Sequence, residues 1–195
     1  MNLDERRQRR HEALLTAGVA LLGASDGPSV SVRAACRSAG LTERYFYESF
    51  ADRDAYVRAV YAHVGEQART AITAIAAAAA SEPADIPEAA VRAFVELVLD
   101  HPSVGRVLLL APLTEPAIGG SGLALVPSFV ELVRPHLSAG DDDERHLVAV
   151  GVVGALTALF VGYLDGTITT AREKFLAHCV RLVADAGARP STSVP

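Results

Sequence analysis

The sequence predicts an all-α protein, and three observations lead there. Apolar residues recur at spacings of three and four along nearly every segment. Alternation with a period of two, the mark of a half-buried strand, competes nowhere. Proline, glycine and capping residues punctuate the segments where helices should start and stop. Together they predict about nine helices. The chain has 195 residues and is 50% hydrophobic, enough to bury a substantial core.

The first helix carries two apolar rows, Leu14, Gly18 and Leu21 beside Leu15, Val19 and Leu22, behind a basic run of Arg6, Arg7, Arg9 and Arg10. Asp26, Gly27 and Pro28 end it. Ser31 can cap a short helix through Val32, Ala35 and Ala39, which Gly40 closes because glycine tolerates a left-handed backbone. Thr42 can cap the next helix, whose apolar positions are Phe46 and Phe50. Asp52 or Asp54 suits the start of a longer helix with Val57, Val60, Tyr61, Val64, Ala68, Ala71 and Ile75 on one face. The alanine run to Ala80 reads as its end, alanine being the best helix former.

After the polar break SEPADIPE, Val91, Phe94, Val95 and Val98 repeat the pattern until His101 and Pro102 stop it. Pro112, Pro116 and the GGSG at 119–122 mark turns or a mobile loop. Pro127 to Leu137 reads as a short helix, and SAGDDDE as a solvated acidic connection. Two strong helices follow, Glu144 to near Asp165 and near Ala171 to Ala186, the last entered through a Thr170/Glu173 capping box. The tail from Gly187 is expected to fray.

Cys36 and Cys179 lie far apart in apolar helical patterns, which suits reduced, packed thiols and a cytoplasmic location. The polar start MNLDERRQRR has no apolar region behind it of the kind a secretory signal needs. The net charge is -5, but its distribution matters more. Residues 1–65 hold nine arginines against eight acids, whereas the remainder holds nine basic against fifteen acidic residues. Enzyme readings fare poorly. The six histidines never fall at metal-ligand spacing, and no CxxC, GxSxG, phosphate-binding loop or dinucleotide fingerprint occurs. The Asp141–Glu144 run is read as a capped, solvated helix start. Neither a metal nor a cofactor is expected.

A helix of about seven residues, then AGLT, then another of similar length is the spacing of a helix-turn-helix, whose second helix enters the major groove. In that geometry Phe46 and Phe50 point inward while Glu43, Arg44 and Tyr45 point out. Thr42, Tyr47 and Arg53 are placed for phosphates, since hydroxyls, cations and helix N-termini all satisfy phosphate oxygens. Arginine is the commonest reader of guanine edges, so Arg44 is the leading base contact. Arg33 on the preceding helix joins the set, and the basic run at 6–10 adds sequence-independent attraction.

At these residues the chain resembles the TetR family of transcriptional repressors. The resemblance is carried by Ser31, Ala39 with Gly40, Leu41, Thr42, Tyr47 with Phe50, and Arg53. The sequence departs from the family pattern at Ala35 and Cys36, where an isoleucine-alanine pair is usual, at Tyr45, where a small residue is usual, and at Arg53, which replaces a lysine. The resemblance implies a DNA-binding regulator of palindromic operators. Its expected domains are a helix-turn-helix domain at 1–53, a helical ligand-binding and dimerisation domain at 54–187, and a tail at 188–195.

One helix-turn-helix contacts few bases, so pairing across a two-fold operator is expected. Gly154, Ala158 and Gly162 form a small-residue stripe that permits close backbone approach. With Phe175, Leu176, Cys179, Val180 and Val183 of the last helix it would make a four-helix homodimer interface, as the resembling family dimerises. That family also takes a small-molecule effector among its central helices. Here Phe94, Val98, Leu108, Phe129 and Phe160 could line an apolar cavity, with His101, Arg106 or Thr157 as polar points, suited to a lipophilic ligand. The competing reading is a single-pass membrane-associated protein using the uncharged residues 147–164.

Overall fold

The computed structural model describes residues 2–26, 30–78, 86–119, 126–137 and 140–187, and among the described residues every regular element is helical. Ten α-helices occur in them: α1 (Leu3–Leu22), α2 (Val32–Ala39), α3 (Glu43–Tyr47), α4 (Arg53–Ala78), α5 (Ile86–Val95), α6 (Pro102–Leu109), α7 (Ala111–Thr114), α8 (Val126–Val133), α9 (Asp142–Leu164) and α10 (Arg172–Gly187). A π-helical turn, Glu96–Asp100, continues α5, and a 3-10 turn, Arg134–His136, continues α8. Residues 1, 27–29, 79–85, 120–125, 138–139 and 188–195, on which the Gly27–Pro28 stop, the end of the alanine run, most of the GGSG and the tail fall, lie outside the described residues.

The local chemistry explains the boundaries. Asn2 and Glu5 exchange side-chain-to-backbone bonds of 2.7 and 3.0 Å in a capping box at α1. The Ser31 hydroxyl accepts from the Ala34 amide at 3.1 Å, and Gly40 ends α2 at φ +65°. Asp52 caps α4 by accepting from the Ala55 amide at 2.7 Å. Two expectations shift. The Thr42 side chain makes no capping bond at α3, although its backbone sits at the cap position. α10 begins one residue later than a Thr170/Glu173 capping box requires.

Two helices are absent from the sequence reading. α6 begins at Pro102 and α7 has Pro112 in its first turn, where the missing amide proton costs no intrahelical bond. The same prolines therefore start helices rather than only breaking them.

The chain gathers into two compact units that do not divide at residue 53. The first contains α1 to α3, α4 up to Gln67, and α6 with α7; the second contains α4 from Ala68, α5 with its π turn, and α8 to α10.

In the first unit Leu14, Phe46, Tyr56, Val57 and Val64 are fully buried. Phe46, Phe50 and Tyr56 pack as three mutually tilted rings with centroids 5.0–5.6 Å apart. The Tyr56 hydroxyl donates to the Leu14 carbonyl at 2.6 Å, joining α4 to α1, and burial pushes its pKa above the usual tyrosine range. Gly18 makes this approach possible. A methyl group there would lie 2.3 Å from Val60 and 2.7 Å from the Tyr56 hydroxyl.

In the second unit Phe160 is fully buried and stands edge-on to Phe94 at 4.9 Å and to Phe175 at 5.1 Å. Val130, Leu137, Ala149 and Val153 form a further core between α8 and α9. Arg172 at the head of α10 makes a two-pronged ion pair with Asp100 at the end of the π turn.

Candidate nucleic-acid interface

The α2–turn–α3 segment presents one face to its own core and another to solvent. Phe46 and Phe50 are buried beneath α3. On the outer side Arg44 keeps 84% of its side chain exposed and Tyr47 is 56% exposed. Thr42 and Glu43 are also exposed. Arg33 on α2 is almost fully solvated and lies 3.5 Å from Glu43. Five of the seven residues expected to meet DNA, Arg33, Thr42, Glu43, Arg44 and Tyr47, thus lie on solvent-facing α2 and α3 surface.

The other two are placed differently. Tyr45 is only half-exposed, and the Arg10 guanidinium covers its ring at 4.3 Å. Its face is occupied by a cation from α1 instead of standing free for a base. Arg53 is partly exposed, but its guanidinium is taken up by groups of its own chain. Its guanidinium grips Glu115 with two bonds of 3.0 and 2.7 Å, and also donates to the Val30 carbonyl and to Asp54, each at 3.0 Å. Glu115 is the buried acid among the described residues of this unit, 5% exposed. The bonds from Arg53 hold the Glu115 carboxyl below its usual pKa, overcoming the opposing effect of burial. Arg53 is therefore an internal clamp between the head of α4, the strand of chain before α2 and the segment after α7.

Glu48, on which arginines of α1 and α3 converge, was given no role by the sequence reading. The Glu48 carboxylate pairs with Arg44 at 3.3 Å and Arg10 at 3.5 Å, while Arg7 donates to its main-chain carbonyl at 3.2 Å. His11 stacks on Phe50 at 4.9 Å, fixing α1 beside the end of α3. The Arg44–Glu48 spacing of four was a visible helical pairing signal; the Arg10 contact spans too much chain to be one.

The other expected site residues are spread over both units. Phe94, Phe129 and Phe160 do come together, with Phe94 6.1 Å from Phe129, and Val98 is buried in the same unit. His101 and Leu108 belong to the first unit, His101 exposed before α6 and Leu108 buried.

On α9, Gly154 and Ala158 are exposed, in line with Leu147, Val150 and Gly151, and a methyl group at Gly151 or Gly154 would touch nothing. Gly162 departs from this stripe: it is buried, and a methyl group there would meet Ile168 of the same chain at 2.9 Å. Phe175, Cys179 and Val183 are buried within their own chain, whereas Leu176 and Val180 stay half-exposed. The first three are core residues that leave little surface for a second copy.

No protein-family model matches the sequence, and no curated protein matches it. Solved structures do. A Rhodococcus sp. protein assigned as a TetR-family transcriptional regulator superposes with a TM-score of 0.75 at 16% identity, over 93% of this chain and 100% of that one. A TetR-like transcriptional regulator from Rhodococcus sp. RHA1 gives 0.68 at 19% identity, over 91% and 93%. The fold is that of the TetR regulators. The TetR-like regulator LfrR from Mycobacterium smegmatis, solved in complex with proflavine, matches at 0.58 and 21% identity over 95% and 99%. Within this TetR fold the helix-turn-helix is α2–α3, and the arginines that converge on Glu48 come from α1 and α3.

Proposed function

We propose that this chain is a TetR-family DNA-binding transcriptional regulator, acting in the cytoplasm as a homodimeric repressor on a palindromic operator, and not an enzyme. One observation carries the reading: a short helix, α3, is anchored from behind by two buried phenylalanines and turns Arg44 and Tyr47 to solvent. A reading element must be rigid beneath and open above, and α3 is both. Arg33, Thr42, Glu43 and Arg44 are assigned to the DNA face, with Tyr47 on a flanking phosphate. Tyr45 and Arg53 act behind them, as packing and as a clamp.

Pairing of two copies through α9 is supported by the exposed Leu147–Val150–Gly151–Gly154–Ala158 stripe, with Leu176 and Val180 of α10 at its edge. A close backbone approach buries apolar area that a lone chain leaves in water. The effector is assigned to the packed cluster of Phe94, Val98, Phe129 and Phe160, whose apolar side chains suit a lipophilic molecule that prefers one arrangement of the helices and so releases DNA.

The test uses immunoprecipitated genomic fragments and fluorescence anisotropy. Wild type should select an inverted repeat, and Arg44→Ala or Tyr47→Ala should each weaken binding by about 1–3 kcal/mol while circular dichroism stays unchanged. Selection of no duplex would refute the reading.

The membrane reading keeps one supporting observation. α9 is long and apolar enough to cross a bilayer, and only 28% of its most apolar window is buried within the chain. Recovery of the native chain solely with detergent would favour it over a water-soluble dimer.

A further inference from the structure

Glu48 stands where an acid does least for its own helix. It sits at the C-terminal end of α3, where a negative charge opposes the helix dipole. Glu43, by contrast, occupies the first turn, where an acid is favoured. Yet Glu48 draws two guanidiniums from different helices. Arg44 reaches it from one turn back and Arg10 from across the α1–α3 junction, at 3.3 and 3.5 Å. Arg10 is simultaneously held over the Tyr45 ring. Glu48 lines an open polar cleft together with Asp4, Arg7, Gln8, His11 and Ser49, and its side chain is 36% exposed to water.

A guanidinium N–H held by a carboxylate competes with the same N–H bonding a phosphate, and the pairing draws the cation toward Glu48. We propose that Glu48 is an internal competitor for DNA phosphate: it retains Arg10 and Arg44 in the free protein and so lowers affinity for duplex that offers no matching base contacts. A correct site draws Arg44 off Glu48 to a matching base edge, which a random sequence lacks. Glu48 is thus a specificity-determining residue of the DNA face. The inference rests on the DNA-binding function proposed above.

Mixed-sequence duplex is the probe, since no operator is needed to measure sequence-independent binding. Anisotropy titrations of the full chain across a salt series compare wild type, Glu48→Gln and the charge-matched control Glu173→Gln on α10. Glu48→Gln should bind mixed-sequence duplex about three- to tenfold more tightly than wild type at low salt, the range expected from releasing two ion pairs that are partly or fully open to water. Its log K against log salt should steepen by about 0.9 for each arginine released. In an Arg10→Ala/Arg44→Ala background the gain should vanish. Wild-type binding with no gain from Glu48→Gln, or an equal gain from Glu173→Gln, overturns this proposal alone. Absence of duplex binding by both wild type and Glu48→Gln at low salt overturns the DNA-binding function with it.

Discussion

Replacing Arg53 by alanine distinguishes an internal clamp from a phosphate anchor. The substitution leaves the Glu115 carboxylate, 5% exposed, with one long bond of 3.4 Å from the Ala117 amide. Removing one partner of a fully buried pair costs about 3–5 kcal/mol, but the Arg53 side chain is 37% exposed, so water relieves part of that and about 3 kcal/mol is expected. For a chain of this length that lowers the melting temperature by roughly 6–12 °C. Glu115→Ala should cost less, about 1–2 kcal/mol, because the guanidinium left behind is partly solvated and keeps Val30 and Asp54 as partners. The double variant should be less destabilised than the two single effects summed, since neither charge is left unpaired. Thermal melts followed by circular dichroism measure all three. If Arg53→Ala melts with wild type while its salt slope on duplex DNA falls by about 0.9, Arg53 is neutralising a phosphate and the clamp is wrong.

Acid should dissolve the same clamp: the lowered pKa of Glu115 makes its contribution complete above the unfolded-state value of about 4.3 and progressively lost as pH falls toward the folded value. The melting-temperature advantage of wild type over Glu115→Gln should therefore be constant above pH ~5 and shrink below it. Gly18→Val should destabilise by about 2–4 kcal/mol in denaturant melts, because even its first carbon overlaps Val60 and the Tyr56 hydroxyl; a neutral or stabilising outcome would mean α1 and α4 are not this close. Leu147→Glu on the exposed face of α9 should convert a dimer to a monomer in sedimentation experiments without lowering helix content, and an unchanged sedimentation coefficient would remove that face from the interface.

The sequence by itself determined most of the helices, though not α6 or α7, and the α2–turn–α3 segment. Periodicity and local caps act within a few residues, so Ser31, Gly40 and Asp52 mark their helix ends without reference to the rest of the chain. The inward turn of Phe46 and Phe50, and with it the outward turn of Arg44 and Tyr47, follows from helical spacing alone. Only the tertiary structure decided which cations remain available to a partner. Arg53 finds its acid 62 residues away, and Arg10 meets Tyr45 and Glu48 across two helices. The same holds for the apolar rows of α9 and α10, where spacing marks Gly154 and Gly162, or Val180 and Val183, alike. Ile168 then covers Gly162 and the chain's own core takes Val183, leaving Gly154 and Val180 outward. Long-range pairing depends on which surfaces the packed helices bring together, and no local pattern encodes that choice.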